Sequence, residues 1–155
     1  MLKKRSKPSG GRPTKRKNKI VIDTSVLISS FAFGGIPQKA VTKALKKALI
    51  VVSPPLLNEY RYVPLELFRK NKINNEQFKS LISGTAAFVS KAVVINPKKK
   101  LFICRDQKDN LVLECCLEAG ADILITGDKD LLEIENLPFK LRIYTPAVYL
   151  KKSII

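Results

Sequence analysis

The chain has 155 residues, 45% of them hydrophobic, with 29 basic and 13 acidic side chains and no histidine. That length and apolar share fit one domain with its own core, and the missing histidine excludes Ser-His-Asp catalysis, Cys-His catalysis and histidine-ligated zinc. Without histidine, any chemistry must come from carboxylates, hydroxyls, lysines or a metal, and a net charge of +16 points to a polyanionic partner.

Residues 1–17, "MLKKRSKPSGGRPTKRK", hold eight basic side chains and no acid, half of the net charge. Rich in Gly, Pro and Lys, a tail over residues 1–18 cannot bury a core and is expected to be disordered, as a solubilising extension or an RNA-binding arm. The folded domain is expected over 19–155. No apolar run reaches membrane-spanning length and the basic start lacks the apolar stretch of a secretory signal, so a soluble cytoplasmic protein without a membrane partner is expected. Cys104, Cys115 and Cys116 lack a CxxC spacing, and the last two fall in an apolar helical pattern, where cysteine acts as a small hydrophobe.

Five apolar runs of strand type follow the tail: "KIVID", "LIVVS", "AVVIN", "DILIT" and "LRIYT". The first ends abruptly on Asp23, a charge that must lie where the strand leaves the core. Ala40, Val41, Ala44, Leu45 and Ala48 then keep the i, i+4 spacing of an amphipathic helix, with Pro37 near its start. The second run ends on Ser53, which with Pro54 reads as an N-cap and first-turn proline of a helix that Pro64 is expected to kink or end. Asn74 and Gln77 form a capping-box pattern ahead of Phe78, Leu81, Ile82, Thr85 and Val89. The third run ends on Asn96, a helix is expected over about 109–119, the fourth run ends on Thr126, a short helix follows Asp128, and the fifth run ends on Thr145. Alternation of this kind predicts an α/β fold, a doubly wound sandwich with a central, mainly parallel five-stranded sheet and helices on both faces. The polar strand ends then gather on one rim, where such sheets place their sites.

Nine of the thirteen acids lie between Asp106 and Glu135. Glu114 and Glu118, spaced i, i+4, read as a solvated stripe, and Glu133 and Glu135 as ordinary surface charge. Asp109 shares a helical face with Val112, Cys116 and Ala119, which turns it toward the rim; helix capping also accounts for an Asp there, and capping and metal ligation are compatible. Asp106 is the weaker candidate. Glu59 aligns with Leu56 and Val63 and needs a partner, since an unpaired buried charge is costly; Glu66, one heptad on, lies beyond Pro64. In "ILITGDKD", Thr126, Gly127 and Asp128 repeat the opening pattern of a strand ending on an acid, and a cap alone would explain Asp128 in isolation. Four acids on one rim repel unless a cation neutralises them. All-oxygen ligands select Mg²⁺ or Mn²⁺, which beside a phosphodiester suits a nuclease. Lys39, Arg105, Lys108 and Lys129 lie in the predicted rim loops or helix starts and are candidates to hold the phosphate backbone, though each alone also suits a solvated surface.

"VIDTSVLISSFAFGG", "VVSPPLLNEY" and "CRDQKDNLVLECCLEAGADILITGDKDLL" resemble a PIN domain (the PilT N-terminal family) in its compact, VapC-like toxin branch, over about Lys19 to Leu150. The resemblance implies a metal-dependent ribonuclease, and many bacterial members are toxins held by a small antitoxin. It places the four family acids on Asp23, Glu59, Asp109 and Asp128, the supporting hydroxyl on Thr126, and the Asn or Ser two places after the first acid on Ser25. Asp23, Asp109 and Asp128 would be the principal ligands of Mg²⁺ or Mn²⁺, with Glu59 holding a second ion or its water. In-line attack on RNA would leave 5′-phosphate and 3′-hydroxyl ends. A homodimer is left open.

A haloacid-dehalogenase-like phosphatase needs a second Asp where this chain has Ser25, and a receiver domain needs an Asp where it has Asn96. A non-catalytic RNA-binding module is the other alternative. Aromatics are only 7% of the chain and mostly sit in apolar patterns, so the sequence offers no stacking platform for such a binder.

Overall fold

The structure, a computed structural model, describes residues 16–152; the basic tail expected over 1–18 therefore lies outside the described residues as far as Lys15. Arg16 already touches the domain, pairing with Asp122 at 2.8 Å.

Twelve elements run in the order β1 (Lys19–Ile22), α1 (Thr24–Phe33), α2 (Gly35–Lys47), β2 (Leu49–Val52), α3 (Pro54–Arg69), α4 (Asn75–Ser90), β3 (Val93–Val94), α5 (Gln107–Ala119), β4 (Ile123–Ile125), α6 (Lys129–Leu132), β5 (Arg142–Tyr144) and α7 (Pro146–Lys151). The five strands form one sheet in the order β3-β2-β1-β4-β5, and every pairing is parallel. Successive strand residues point to opposite faces. In β1 and β4 the residues Ile20, Val21, Ile22, Ile123, Leu124 and Ile125 are all fully buried, so helices cover both faces of the sheet centre. Strand order reverses at β1, which leaves β2 and β3 on one side and β4 and β5 on the other. The crevice beyond the carboxyl ends of β1 and β4 is thus a topological switch point.

Sequence signals and structure agree at several ends. Ser53 caps α3 by accepting from Leu56 N–H at 3.4 Å, and Asn74 and Gln77 cap α4 reciprocally at 2.8 and 2.9 Å. They differ at others. Helix α3 runs through Pro64, which is buried, so packing of the ring holds a helix that has lost one ladder bond. Helix α1 has no periodic signal because Thr24, Val26, Leu27, Ile28 and Ser30 bury it on most sides. Strand β3 keeps only two residues of the run "AVVIN", both exposed, since it is an edge strand with one neighbour. Helix α5 starts at Gln107 and is capped by Asp106, so Asp109 lies in its first turn and does not cap it.

Glu114 is the clearest correction. It is 5% exposed and accepts from Leu101 N–H at 2.9 Å, whereas Glu118 accepts from Lys98 N–H at 3.2 Å. Glu114 is therefore not solvated, Glu118 stays exposed, and together they support the irregular segment before α5.

Where α4 crosses α1, Gly84 leaves room for the Phe31 ring; a Cβ there would overlap the ring near its root. Alanine in a helix interior gains up to about 1 kcal/mol over glycine, but forcing a packed ring aside costs about 1–3 kcal/mol. We expect Gly84→Ala to lower the urea midpoint and Gly84→Val to lower it further. A higher midpoint for the alanine variant would mean that the ring moves freely.

Candidate active site

Asp23 ends β1 and caps α1. Its Oδ1 accepts from Thr24 N–H at 2.8 Å and its Oδ2 from the Thr126 hydroxyl at 2.7 Å, while its own N–H continues the sheet ladder to Ile125 O at 2.9 Å. Thr126, fully buried, also accepts from Asp128 N–H at 3.0 Å. One hydroxyl therefore ties the two strand-end acids together. Asp128 caps α6, accepting from Asp130 N–H at 2.9 Å.

Asp109 enters from the first turn of α5 and is 6% exposed. Its Oδ2 is buried without a hydrogen-bond partner. Burial, then the neighbouring Asp128 carboxylate, then Asp106 and Asp23, push its carboxyl from the usual 3.8 up to about 7. Asp23 is raised as well, mainly by burial and further by Asp128 and Glu59, against the opposing pull of its bonds from Thr126 and Thr24. Glu59 comes from α3, and Lys108 Nζ lies 3.9 Å from its Oε2. The helix is fixed here because the next residue, Tyr60, is buried and donates its hydroxyl to Ile22 O at 2.6 Å, one residue before Asp23.

Asp23, Glu59, Asp109 and Asp128 all line one cavity of about 810 Å³, together with Ser25, Asp106 and Lys108 and an apolar wall that includes Phe33, Val63 and Leu67. Ser25 is exposed there. Of the four candidate phosphate-binding cations, only Lys108 lines the cavity. Arg105 pairs with Asp130 at 3.2 Å, and Lys39 and Lys129 stand exposed beside the lining. Sequence reasoning missed Asp130. Its carboxylate approaches those of Asp109 and Asp128, with one oxygen of each within 4.8 Å of the others. The spacing "DKD" at the end of β4 was the available signal.

The donor set fits a hard divalent cation. All the candidate ligand atoms are carboxylate oxygens, and the orphaned Asp109 Oδ2 together with the raised Asp109 carboxyl marks an acid that no cationic side chain among the described residues pairs with. Within the cluster Asp109 Oδ2 is unengaged, whereas Asp128 Oδ1 accepts from Asp130 N–H, the two oxygens of Asp130 lie 3.3 and 3.2 Å from the Arg105 guanidinium, and both oxygens of Asp23 are engaged by Thr24 and Thr126.

An all-parallel sheet with a carboxylate cluster at its switch point defines an α/β protein with an acid-lined crevice at that point. Residues 19–130 match the PIN domain, and the chain belongs to that family, whose members are generally nucleases. An uncharacterized protein of Methanocaldococcus jannaschii is 33% identical over 147 residues, covering 89% of this chain and 93% of its own. Two solved structures share the fold. VapBC2 from Rickettsia felis, bound to a promoter DNA fragment, matches with a TM-score of 0.55 and 16% identity over 81% of this chain and 98% of that one. PAE2754 from Pyrobaculum aerophilum matches with a TM-score of 0.57 and 15% identity over 86% and 88%.

Proposed function

We propose that the chain is a metal-dependent endoribonuclease, the toxin of a toxin–antitoxin pair, with Asp23, Glu59, Asp109 and Asp128 as its catalytic acids. The observation that carries the reading is Asp109, a buried carboxylate with an unpartnered oxygen among further acids, in a cavity open to a large substrate. A protein with no use for that charge concentration would lose stability by keeping it.

Asp109 and Asp128, with Asp130 beside them, would hold Mg²⁺ or Mn²⁺. The ion, when bound, supplies charge stabilisation for the phosphodiester and eases deprotonation of water. Asp23, held by Thr24 and Thr126, fixes the inner wall of the site. Glu59, which also lines the cavity, would orient water and accept a proton, and Ser25 would add a hydroxyl donor for a substrate oxygen. Lys108, which lines the cavity, would hold a phosphate of the bound strand, with Arg105, Lys39 and Lys129 outside the lining as further candidates.

The likeness to VapBC2 supports a small antitoxin as a protein partner; self-association is a further partner state of this reading. The cytoplasm is the compartment that suits an RNA substrate, and among the described residues no helix is long and apolar enough to cross a membrane.

The test is cleavage of an end-labelled RNA with single-stranded and paired regions by the full chain. We expect products with 5′-phosphates in Mg²⁺ or Mn²⁺ and none in EDTA. Binding without cleavage under both metals would replace the nuclease with a non-catalytic RNA-binding module.

A further inference from the structure

Phe102 is 82% exposed, far more than the other large apolar side chains of the described residues. It stands in the irregular segment 95–106 between β3 and α5. That segment is not slack. Besides the bonds from Lys98 and Leu101 to Glu118 and Glu114, the Asn110 Oδ1 accepts from Ile103 N–H at 3.0 Å and from Cys104 N–H at 2.8 Å, and its Nδ2 donates to Cys104 O at 3.0 Å. Asn110 and Glu114 are 2% and 5% exposed. Buried polar groups thus fix the backbone on both sides of Phe102, and the ring plays no part in holding it.

The segment carries cations on both sides of the ring in sequence. Lys98, Lys99 and Lys100 are exposed, and among the described residues none of them is paired with an acid. At the other end Arg105 reaches Asp130 of the acidic cluster. From Phe102 to Arg105 is three residues, at most about 11 Å of extended chain.

An aromatic face flanked by lysines is the arrangement that binds single strands, by base stacking and phosphate contact. A docking patch for a folded protein would instead continue its apolar surface, whereas Ile103 is only 36% exposed, Leu101 is half-buried against the core, and lysines precede them. We propose that residues 98–105 form a contact strip for single-stranded nucleic acid, with a base stacked on Phe102 and adjacent phosphates on Lys98, Lys99 and Lys100. The onward path of the strand to the acids rests on the nuclease reading; the binding itself does not. In sequence "KLFIC" reads as one more apolar run, and only the structure shows that Phe102 is exposed.

The experiment is fluorescence anisotropy with the full chain in EDTA, using a labelled uridine-rich RNA of about 12 nucleotides, the DNA of matching sequence, and a blunt duplex. Phe102→Ala should bind the single strands about 5- to 100-fold more weakly, with Phe102→Trp retaining affinity and the duplex little affected. Replacing Lys98, Lys99 and Lys100 by Ser should lower the salt slope by about 2. Loss on RNA and DNA alike, or on RNA alone, both support the strip and differ only in whether the sugar is read. Thermal melts should match the unsubstituted protein, since these side chains are exposed. The proposal is overturned if the unsubstituted chain binds no single strand, if Phe102→Ala binds within twofold of it, or if that variant changes only the oligomeric state in sedimentation, which would make the patch a protein contact. Cleavage in Mn²⁺, assayed separately, can fail without altering these results.

Discussion

Asp109→Asn should reduce metal-dependent RNA cleavage by about a thousandfold and, in the same protein, raise the melting temperature of the metal-free form at neutral pH. The first effect follows if Asp109 is an ion ligand, because loss of several kcal/mol of transition-state stabilisation corresponds to about that factor. The second follows from burial and from the Asp128 charge, which lift the Asp109 carboxyl from 3.8 to about 7. A carboxyl whose pKa is higher in the folded than in the unfolded chain makes the folded state bind more protons. Its contribution to stability is then fully present below about pH 4 and is lost as pH rises toward 7. Asparagine keeps the shape and removes the charge, so melts in EDTA should decline with pH for the unsubstituted chain across that window and stay flatter for the variant. Adding Mn²⁺ near neutral pH should restore the unsubstituted chain and leave the variant where it was. Undiminished cleavage by Asp109→Asn would remove Asp109 from the site. A variant that melts below the unsubstituted chain in EDTA would show that the carboxylate is structurally paired.

Thr126→Val carries the second large expectation. Valine fills the same buried volume but takes away the hydroxyl that donates to Asp23 Oδ2 and accepts from Asp128 N–H. Each group left short of a partner costs about 1–3 kcal/mol, and groups that orient ligands typically change metal affinity about 10- to 100-fold. The Mn²⁺ concentration for half-maximal cleavage should rise by that factor, with much of the maximal rate recovered at saturating metal and with Thr126→Ser close to the original. A lower melting temperature with an unchanged Mn²⁺ requirement would reduce Thr126 to a purely structural role.

The legible parts of this fold are those where burial leaves a one-dimensional trace. Strands β1, β2 and β4 read as continuous apolar runs because neighbours cover both faces; Asp23 stands out because it ends such a run, and Asp128 because it follows one after Thr126 and Gly127. Helix α1 left no trace for the same reason inverted: almost all of its sides are buried, so no polar stripe marks a period. Glu114 and Glu118 share the spacing of a surface pair, and only the position of a non-periodic segment 13 residues before Glu114 and 20 before Glu118 shows what they hold. The cluster of Asp109 with Asp130 was hidden likewise. Whether an oxygen has a partner is a property of several segments at once, and a chain read residue by residue does not contain it.

The central place of β1 has a consequence for how the protein is made. Its first strand, with Asp23, is among the earliest parts of the domain to be synthesised, yet the hydroxyl that holds Asp23 comes 103 residues later. Such long-range pairing is closed late and slowly. A nascent chain stopped before β4 lacks Thr126 and Asp128 altogether, so under the proposed nuclease reading its acid cluster stays incomplete for as long as the chain ends there.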